Sequence, residues 1–410
     1  MEIGKIAAVG ALIVGVAVTA YLIGGSQAKR SASVSAPEPV VSGPQSPATA
    51  TATVADEPAT VLGIAARQPS HFTHFRVGQR NVKRLHVDGP VVWVGTSGGL
   101  IRYDSHTDQY RLIDNRSGLL ANGIFYVGKL DGRIAVGTYG GGFALLGADG
   151  DSWEHYNVPD GLGDAFVYDA ALDADGDLWI ATWSGANRVR GGVAGLGRSE
   201  NWDLFTVDNT DGGLPNDWVY ALAPAEDGAV WMATEGGLAV WRDGEWSNWN
   251  HADGLGAAFD LVRDDIRFLT DPAEVSDHHA KQKQEMGLSD IGVAYNPNYV
   301  VSLQLDGNGG VWAGTWGAGL SHFDGRDWRN YTVRDGLPSS HVFALYRDPD
   351  GTLWVGTSHG MARLQDDRFH VYTTEHGLFA DAVFSIATIP NQDSVWVGSY
   401  GGVARLVGVR

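Results

Sequence analysis

Three observations in the sequence predict an all-β fold built from repeated four-stranded units. The 410 residues include 56 glycines and 15 tryptophans but no cysteine and only 4 methionines. That is the composition of many tight turns between short, indole-rich strands. A core motif recurs seven times: VWVGTSGG at Trp93, IAVGTYGG at Ala135, LWIATWSG at Trp179, VWMATEGG at Trp231, VWAGTWGA at Trp312, LWVGTSHG at Trp354 and VWVGSYGG at Trp396. Successive copies are 42, 44, 52, 81, 42 and 42 residues apart, a period near 42 with two insertions. A second marker keeps step, an aromatic three positions before another, as at Trp153/Tyr156, Trp246/Trp249, Trp328/Tyr331 and Phe369/Tyr372. Four antiparallel strands in about 42 residues make one propeller blade, and a lone blade cannot bury both faces. The expected architecture is therefore a seven-bladed β-propeller of four-stranded antiparallel blades.

The elements follow in chain order. Residues 1–30 contain an uncharged apolar run, Ile6 to Ile23, flanked by Lys5 and Lys29-Arg30. At about 1.5 Å per residue it matches the hydrocarbon thickness, so an N-terminal transmembrane helix is expected through residues 6–23. Ser26-Gln27-Ala28 is also an acceptable cleavage site, which leaves a removed secretory signal as the alternative. Residues 31–69, rich in Ala, Pro, Ser and Thr, read as a flexible linker. The propeller occupies 70–410, with an insertion at about 256–296. One copy shows the blade plainly: Val342 to Arg347, the turn DPDG, Thr352 to Thr357, Met361 to Leu364, then Phe369 to Tyr372. After Trp396 there is room for a third strand (Val403 to Val409) but no fourth, whereas HFTHFRVG near residue 71 is a fourth strand with no blade before it. Pairing the two would close the ring by strand exchange and leave no sheet edge open.

The stretch DGLPSSHVFALYRDPDGTLWVGTSHGMARL from Asp335, nearly repeated as DGGLPNDWVYALAPAEDGAVWMATEGGLAVW from Asp211, resembles the two-component regulator propeller repeat. The resemblance covers the globular part. It implies an extracytoplasmic sensor domain on a membrane protein, although fold alone does not carry function. No kinase, phosphoacceptor or DNA-binding module is read after Arg410, so a partner protein is expected to carry any output.

Chemistry is sparse. Without cysteine there is no disulfide, thiolate metal site or thiol nucleophile. The formal charge of −19 disfavours nucleic acid as a partner. The turn DADGD (Asp173, Asp175, Asp177) lacks the spacing of a calcium loop and reads as a hairpin. Ser339, Ser340 and His341 have no nucleophile elbow around them. No catalytic residue, metal or cofactor is expected. The residues just after each GT motif lie on one face, called the top, and Tyr139, Trp183, Trp316 and Tyr400 with Glu235 and His359 are the candidate ligand-binding set, an aromatic funnel. The alternative is that these rings merely pack against neighbouring loops. Short side chains at Asn122, Asp164, Asp217, Asn298, Ser340 and Asp381 are expected to bond backbone N–H groups in their turns. In the insertion, Asp271 to Glu285 reads as a short exposed helix, where Glu274, His278 and His279 are candidates for partner docking.

The expected function is membrane-tethered recognition without catalysis: the propeller, outside the inner membrane, binds a protein partner or a small ligand such as a glycan. A propeller lyase or hydrolase acting on a sugar or lactone, and a structural subunit of an envelope complex, are the competing readings.

Overall fold

A computed structural model describes residues 71–267, 271–274, 276–389 and 392–409. The expected membrane helix and linker lie outside the described residues. No helix among the described residues is long and apolar enough to cross a membrane. One compact unit comprises 71–267 with 291–409, and a second includes 271–290.

The larger unit is all-β and propeller-like. Five sheets have four antiparallel strands each, and a sixth has six strands. In the copy at Asp335 the strands are Val342–Arg347, Leu353–Thr357, Gly360–Gln365 and Arg368–Tyr372, close to the sequence reading. The six-stranded sheet contains two long strands, His71–Asp88 and Ser394–Val407. The first half of His71–Asp88 pairs with residues 402–407 and its second half with Val91–Thr96. The strand expected at Val403 to Val409 is instead continuous with the one before it. Its ladder changes partner near Tyr400, where Asn81 pairs across and Gly401 takes a left-handed φ of 81°.

The repeated motifs have direct physical roles. In DGL, the Asp of three copies reaches back to the backbone N–H of a capping residue: Asn157 to Asp160 at 2.8 Å, Asn250 to Asp253 at 2.9 Å and Thr332 to Asp335 at 2.8 Å. Each pair closes a capping box on a single 3-10 turn. The glycine that follows sits at positive φ, and the leucine (Leu162, Leu255, Leu337) is buried between sheets. In GT, the threonine hydroxyl donates to the carbonyl closing the next turn, as Thr357 to Gly360 at 2.8 Å. The preceding glycine allows close approach: a Cβ on Gly356 would lie 2.7 Å from Val383 Cγ1 in the next sheet. The DxDG turns are hairpins, with Asp173 and Asp348 each accepting two backbone N–H bonds. The same two aspartates accept the indole N–H of Trp179 at 2.7 Å and of Trp354 at 3.2 Å. Turn and core are thereby tied together.

Hydrophobic clusters lie between successive sheets. One joins Trp93 and Ile124, the next Tyr126 and Leu178, and the series runs round to a cluster joining Trp396 with Val82. The first strands of successive units touch in turn, from His71–Asp88 through Ile124–Leu130, Val167–Leu172, Val219–Pro224, Asn296–Leu305 and Val342–Arg347 to Val383–Thr388, which contacts His71–Asp88 again. These strands line the axis.

In the second unit the expected helix is shorter than the sequence suggested. Pro272–Glu274 is a 3-10 turn, and the α-helix is Asp277–Glu285, begun by Ser276, whose hydroxyl accepts from His279 N–H. Lys283 pairs with Asp271, and His279 and Lys283 are buried, so one side of this helix is not exposed. Because Glu274 precedes the cap, it does not share a helix face with His278. The rings of His278 and His279 stand 88° apart.

Candidate functional site

Every axial strand carries a register break near its top end. The breaks skip Lys83, Phe125, Tyr168, Tyr220, Val301, Phe343 and Phe384. An extra residue in a strand bends it and re-aims the side chain, a device common beside functional sites. Here the re-aimed side chains meet. Phe125 packs on Tyr168 at 4.9 Å, Tyr168 on Tyr220 at 5.0 Å, and Tyr220 on Tyr299 at 5.0 Å, between ring centroids. Tyr299 stacks on Trp316 at 5.3 Å, Trp316 meets Phe343 at 5.6 Å, and Phe343 stacks on Phe384 at 5.6 Å. Lys83 closes the circuit, its Nζ 5.6 Å from the ring centres of both Phe125 and Phe384. Lys83, Phe125, Tyr220, Phe343 and Phe384 are each half-buried. The result is an aromatic girdle around the axis with one cation in it.

The electrostatics follow from enclosure. Burial lowers the pKa of Lys83 to about 8. The Tyr168, Tyr220 and Tyr299 phenols are pushed well up, first by burial and further by Glu235. The neighbouring Arg84 is handled differently: it reaches Asp169, two units away in the chain, and lies over the Tyr126 ring. The other Asp169 oxygen accepts Leu222 N–H at 3.0 Å, so this carboxylate ties three axial strands together.

The sequence-derived candidates adjoin this girdle unevenly. Tyr139, half-buried, packs on Phe125 at 5.5 Å and Phe166 at 4.8 Å, and burial raises its pKa to about 12. Trp183 is buried between Phe166 and Trp218. Trp316 is buried and belongs to the circuit itself. Glu235 is fully buried, its backbone N–H bonded to Trp218. His359 takes a hydrogen bond with Ser358 at 2.8 Å through Nδ1, and Ser358 bonds Ser339 at 2.8 Å. Burial and then Arg267 lower the His359 pKa. Among the described residues neither His359 nor Tyr400 has a ring contact with the other candidates. All five of Asn122, Asp164, Asp217, Asn298 and Asp381 accept backbone N–H bonds at 2.7–3.0 Å, but only Asp164 does so within its own turn; the others reach back to the preceding 3-10 turn, Asn298 to His251 across the insertion. The Ser340 hydroxyl is buried without such a bond.

No group of three or more potential metal-ligating side chains converges among the described residues. His341 is fully buried, and burial lowers its pKa to about 3, so it is neutral at physiological pH. The Ser358 hydroxyl is buried and engaged with Ser339. The pair with His359 therefore does not present a free nucleophile.

The girdle itself was missed from sequence, though a signal exists. Val or Ile is followed by an aromatic at 124–125, 167–168, 219–220, 342–343 and 383–384, and the corresponding dipeptides are Val82-Lys83 and Val300-Val301. The pattern sets Lys83 apart as the one charged member.

Comparison with known proteins agrees with the repeat. Residues 161–184, 213–236, 294–317 and 336–359 match the family described as two component regulator propeller. No curated protein matches the chain. Among solved structures, the extracellular domain of BT3049 from B. thetaiotaomicron, described as a hybrid two component system, is 17% identical with a TM-score of 0.61, covering 83% of this chain and 42% of that one. The extracellular domain of BT4673 from the same organism, described as a one component system, is 18% identical with a TM-score of 0.58, covering 82% of this chain and 40% of that one. Virginiamycin B lyase from Staphylococcus aureus, solved with quinupristin as an inactive variant, is 9% identical with a TM-score of 0.56, covering 82% of this chain and 99% of that one. At these identities the likeness is one of fold, and the chain spans about two fifths of the BT3049 and BT4673 domains.

Proposed function

We propose, for a chain that carries two component regulator propeller repeats, a seven-bladed propeller held outside the inner membrane by residues 6–23, acting as a non-catalytic, sensor-like recognition domain. The inter-sheet clusters and the pairing of 71–76 with 402–407 support seven blades closed by strand exchange. The extracellular domains among the structural neighbours, and the Ala/Pro/Ser/Thr tether at 31–69, support an extracytoplasmic location. A protein partner or a small ligand such as a glycan binds over the aromatic girdle. The observation that carries this reading is the closed aromatic girdle, in which Phe125, Tyr168, Tyr220, Phe343 and Phe384 are re-aimed by bulges and all of these but Tyr168 are half-buried. Aromatic faces bind rings and sugars by stacking and exclude water without any catalytic group. Tyr139, His359 and Tyr400 serve as the upper rim, the buried Trp183, Glu235 and Trp316 support it from within, and Glu274, His278 and His279 of the insertion serve partner docking.

Tryptophan fluorescence tests the site, because Trp316 belongs to the circuit. Small aromatic compounds and oligosaccharides should quench or shift emission of the full chain, and the Phe125→Ala/Phe384→Ala double variant should lose the response while staying folded. Equal responses in both proteins would place binding elsewhere. A lyase or hydrolase acting on a sugar or lactone is the alternative suggested by the fold of virginiamycin B lyase. It would need Ser358 and His359 to rearrange, since that serine is buried and bonded to Ser339.

A further inference from the structure

We propose that Lys83 is a carboxylate anchor, so that the aromatic girdle selects small monoanions with an aromatic or apolar body. The inference rests on the recognition reading above and names the ligand class. Lys83 is the only charged residue among the bulged positions, and among the described residues it has no carboxylate or hydrogen-bond acceptor as partner; its contacts are the faces of Phe125 and Phe384. The contrast with Arg84 one residue on is informative, because Arg84 is already matched by Asp169. The strands packed against Lys83 bring no free anion: Val383–Thr388 has no ionisable side chain, and Ile124–Leu130 brings Tyr126 and Lys129, the latter paired with Asp88. Ring faces stabilise the cation only in part. An incoming carboxylate completes the pair in a desolvated setting, where charge-assisted hydrogen bonds are strong.

The chemistry also selects against other anions. A phosphate dianion calls for several converging donors, such as a guanidinium fork or a row of backbone N–H groups. Here a single ammonium is offered, and the guanidinium of the adjacent Arg84 is taken by Asp169. The groups that face the ammonium are the rings of Phe125 and Phe384, suited to an apolar body rather than to a second charge.

Phenylacetate and its neutral isostere phenylacetamide separate the two levels of the argument. Isothermal titration of the full chain should show phenylacetate binding about tenfold more tightly, a difference of about 1.4 kcal/mol. Lys83→Met should abolish that preference, the two probes then binding equally, while Lys83→Arg should retain it. Lysine amines dimethylated with carbon-13 give a second readout by NMR: the Lys83 resonance should titrate at higher pH once phenylacetate is bound. Equal affinity for both probes, or an unmoved Lys83 titration, would overturn the carboxylate anchor while leaving an aromatic site in place. Absence of binding by both probes at about 10 mM would overturn the anchor together with the axial site.

Discussion

Replacing Lys83 by methionine tests the electrostatics of the girdle without any ligand. Burial brings this lysine from the ordinary 10.5 down to about 8, so the fold holds an ammonium that it disfavours. Each unit is 1.36 kcal/mol, which for a fully enclosed group gives about 3 kcal/mol. Lys83 is half-buried, not fully enclosed, so solvent screening reduces the penalty to about 1–2 kcal/mol. The sign follows from proton counts. Between about pH 8 and 10.5 the unfolded chain still binds the proton that the folded chain has lost, so native stability rises with pH in that window. Below about pH 8 the penalty is present in full. Lys83→Met should therefore stabilise the protein by about 1–2 kcal/mol near pH 7, with the advantage shrinking above pH 8 and gone near 10.5. The measurement is urea unfolding of both proteins at several pH values, followed by tryptophan fluorescence, with the m-value checked for constancy. The other titrating groups nearby, the Arg84–Asp169 pair, Tyr126 and the Lys129–Asp88 pair, are common to both proteins and cancel in the difference. A pH-independent gap, or a less stable variant at pH 7, would refute the desolvated ammonium. A residue that costs the fold stability in its native form is the expected mark of a functional position.

Other perturbations probe the scaffold and its mouth. Asp335→Ala removes the return bond to Thr332 N–H and should cost about 1 kcal/mol in urea unfolding, with little change at the axis. Gly356→Ala drives a Cβ against Val383 of the next sheet and should cost about 1–3 kcal/mol; the corresponding positions in two other copies are Ala181 and Ala233, where alanine is already accommodated. His341 is held neutral by burial, with its pKa near 3, so stability is lost as pH falls from about 6.5 towards 3, while the unfolded chain takes up a proton that the native one refuses. The His341→Gln chain should show a flatter acid limb in thermal melts, and an unchanged limb would shift the cause to other groups. Deleting residues 271–287 should leave the melting temperature of the propeller within a few degrees and weaken partner recovery in cross-linked pull-downs from native membranes; unaltered recovery would count against docking through the insertion.

Much of the scaffold was legible because its determinants are local. The capping box of Asp335 acts over three residues, and the hydroxyl of Thr357 reaches a carbonyl three residues away. The Asp348 turn organises itself and holds the indole of Trp354 six residues on. Such contacts repeat with the chain, so a period near 42 announces them. The helix in the insertion was overextended for a related reason: its start is set by the Ser276 cap, which composition does not locate.

The functional surface was less legible. Trp183, Glu235 and Trp316 read as lining of an open funnel, yet they are buried, because alternation along one strand does not say how closely the next strand approaches. The bulged residues escaped notice because a register break is a relation between two strands, not a property of either. By itself the sequence determined the repeat, the blade, the turns and the packing indoles, all of which rest on neighbours within a few residues. Only the tertiary structure decided which side chains meet at the axis, since Lys83 and Phe384, at opposite ends of the chain, become neighbours when successive sheets pack face to face. It also decided that Arg84 finds its carboxylate 85 residues away while Lys83 finds two aromatic faces, a difference set by the direction in which one extra residue turns a strand.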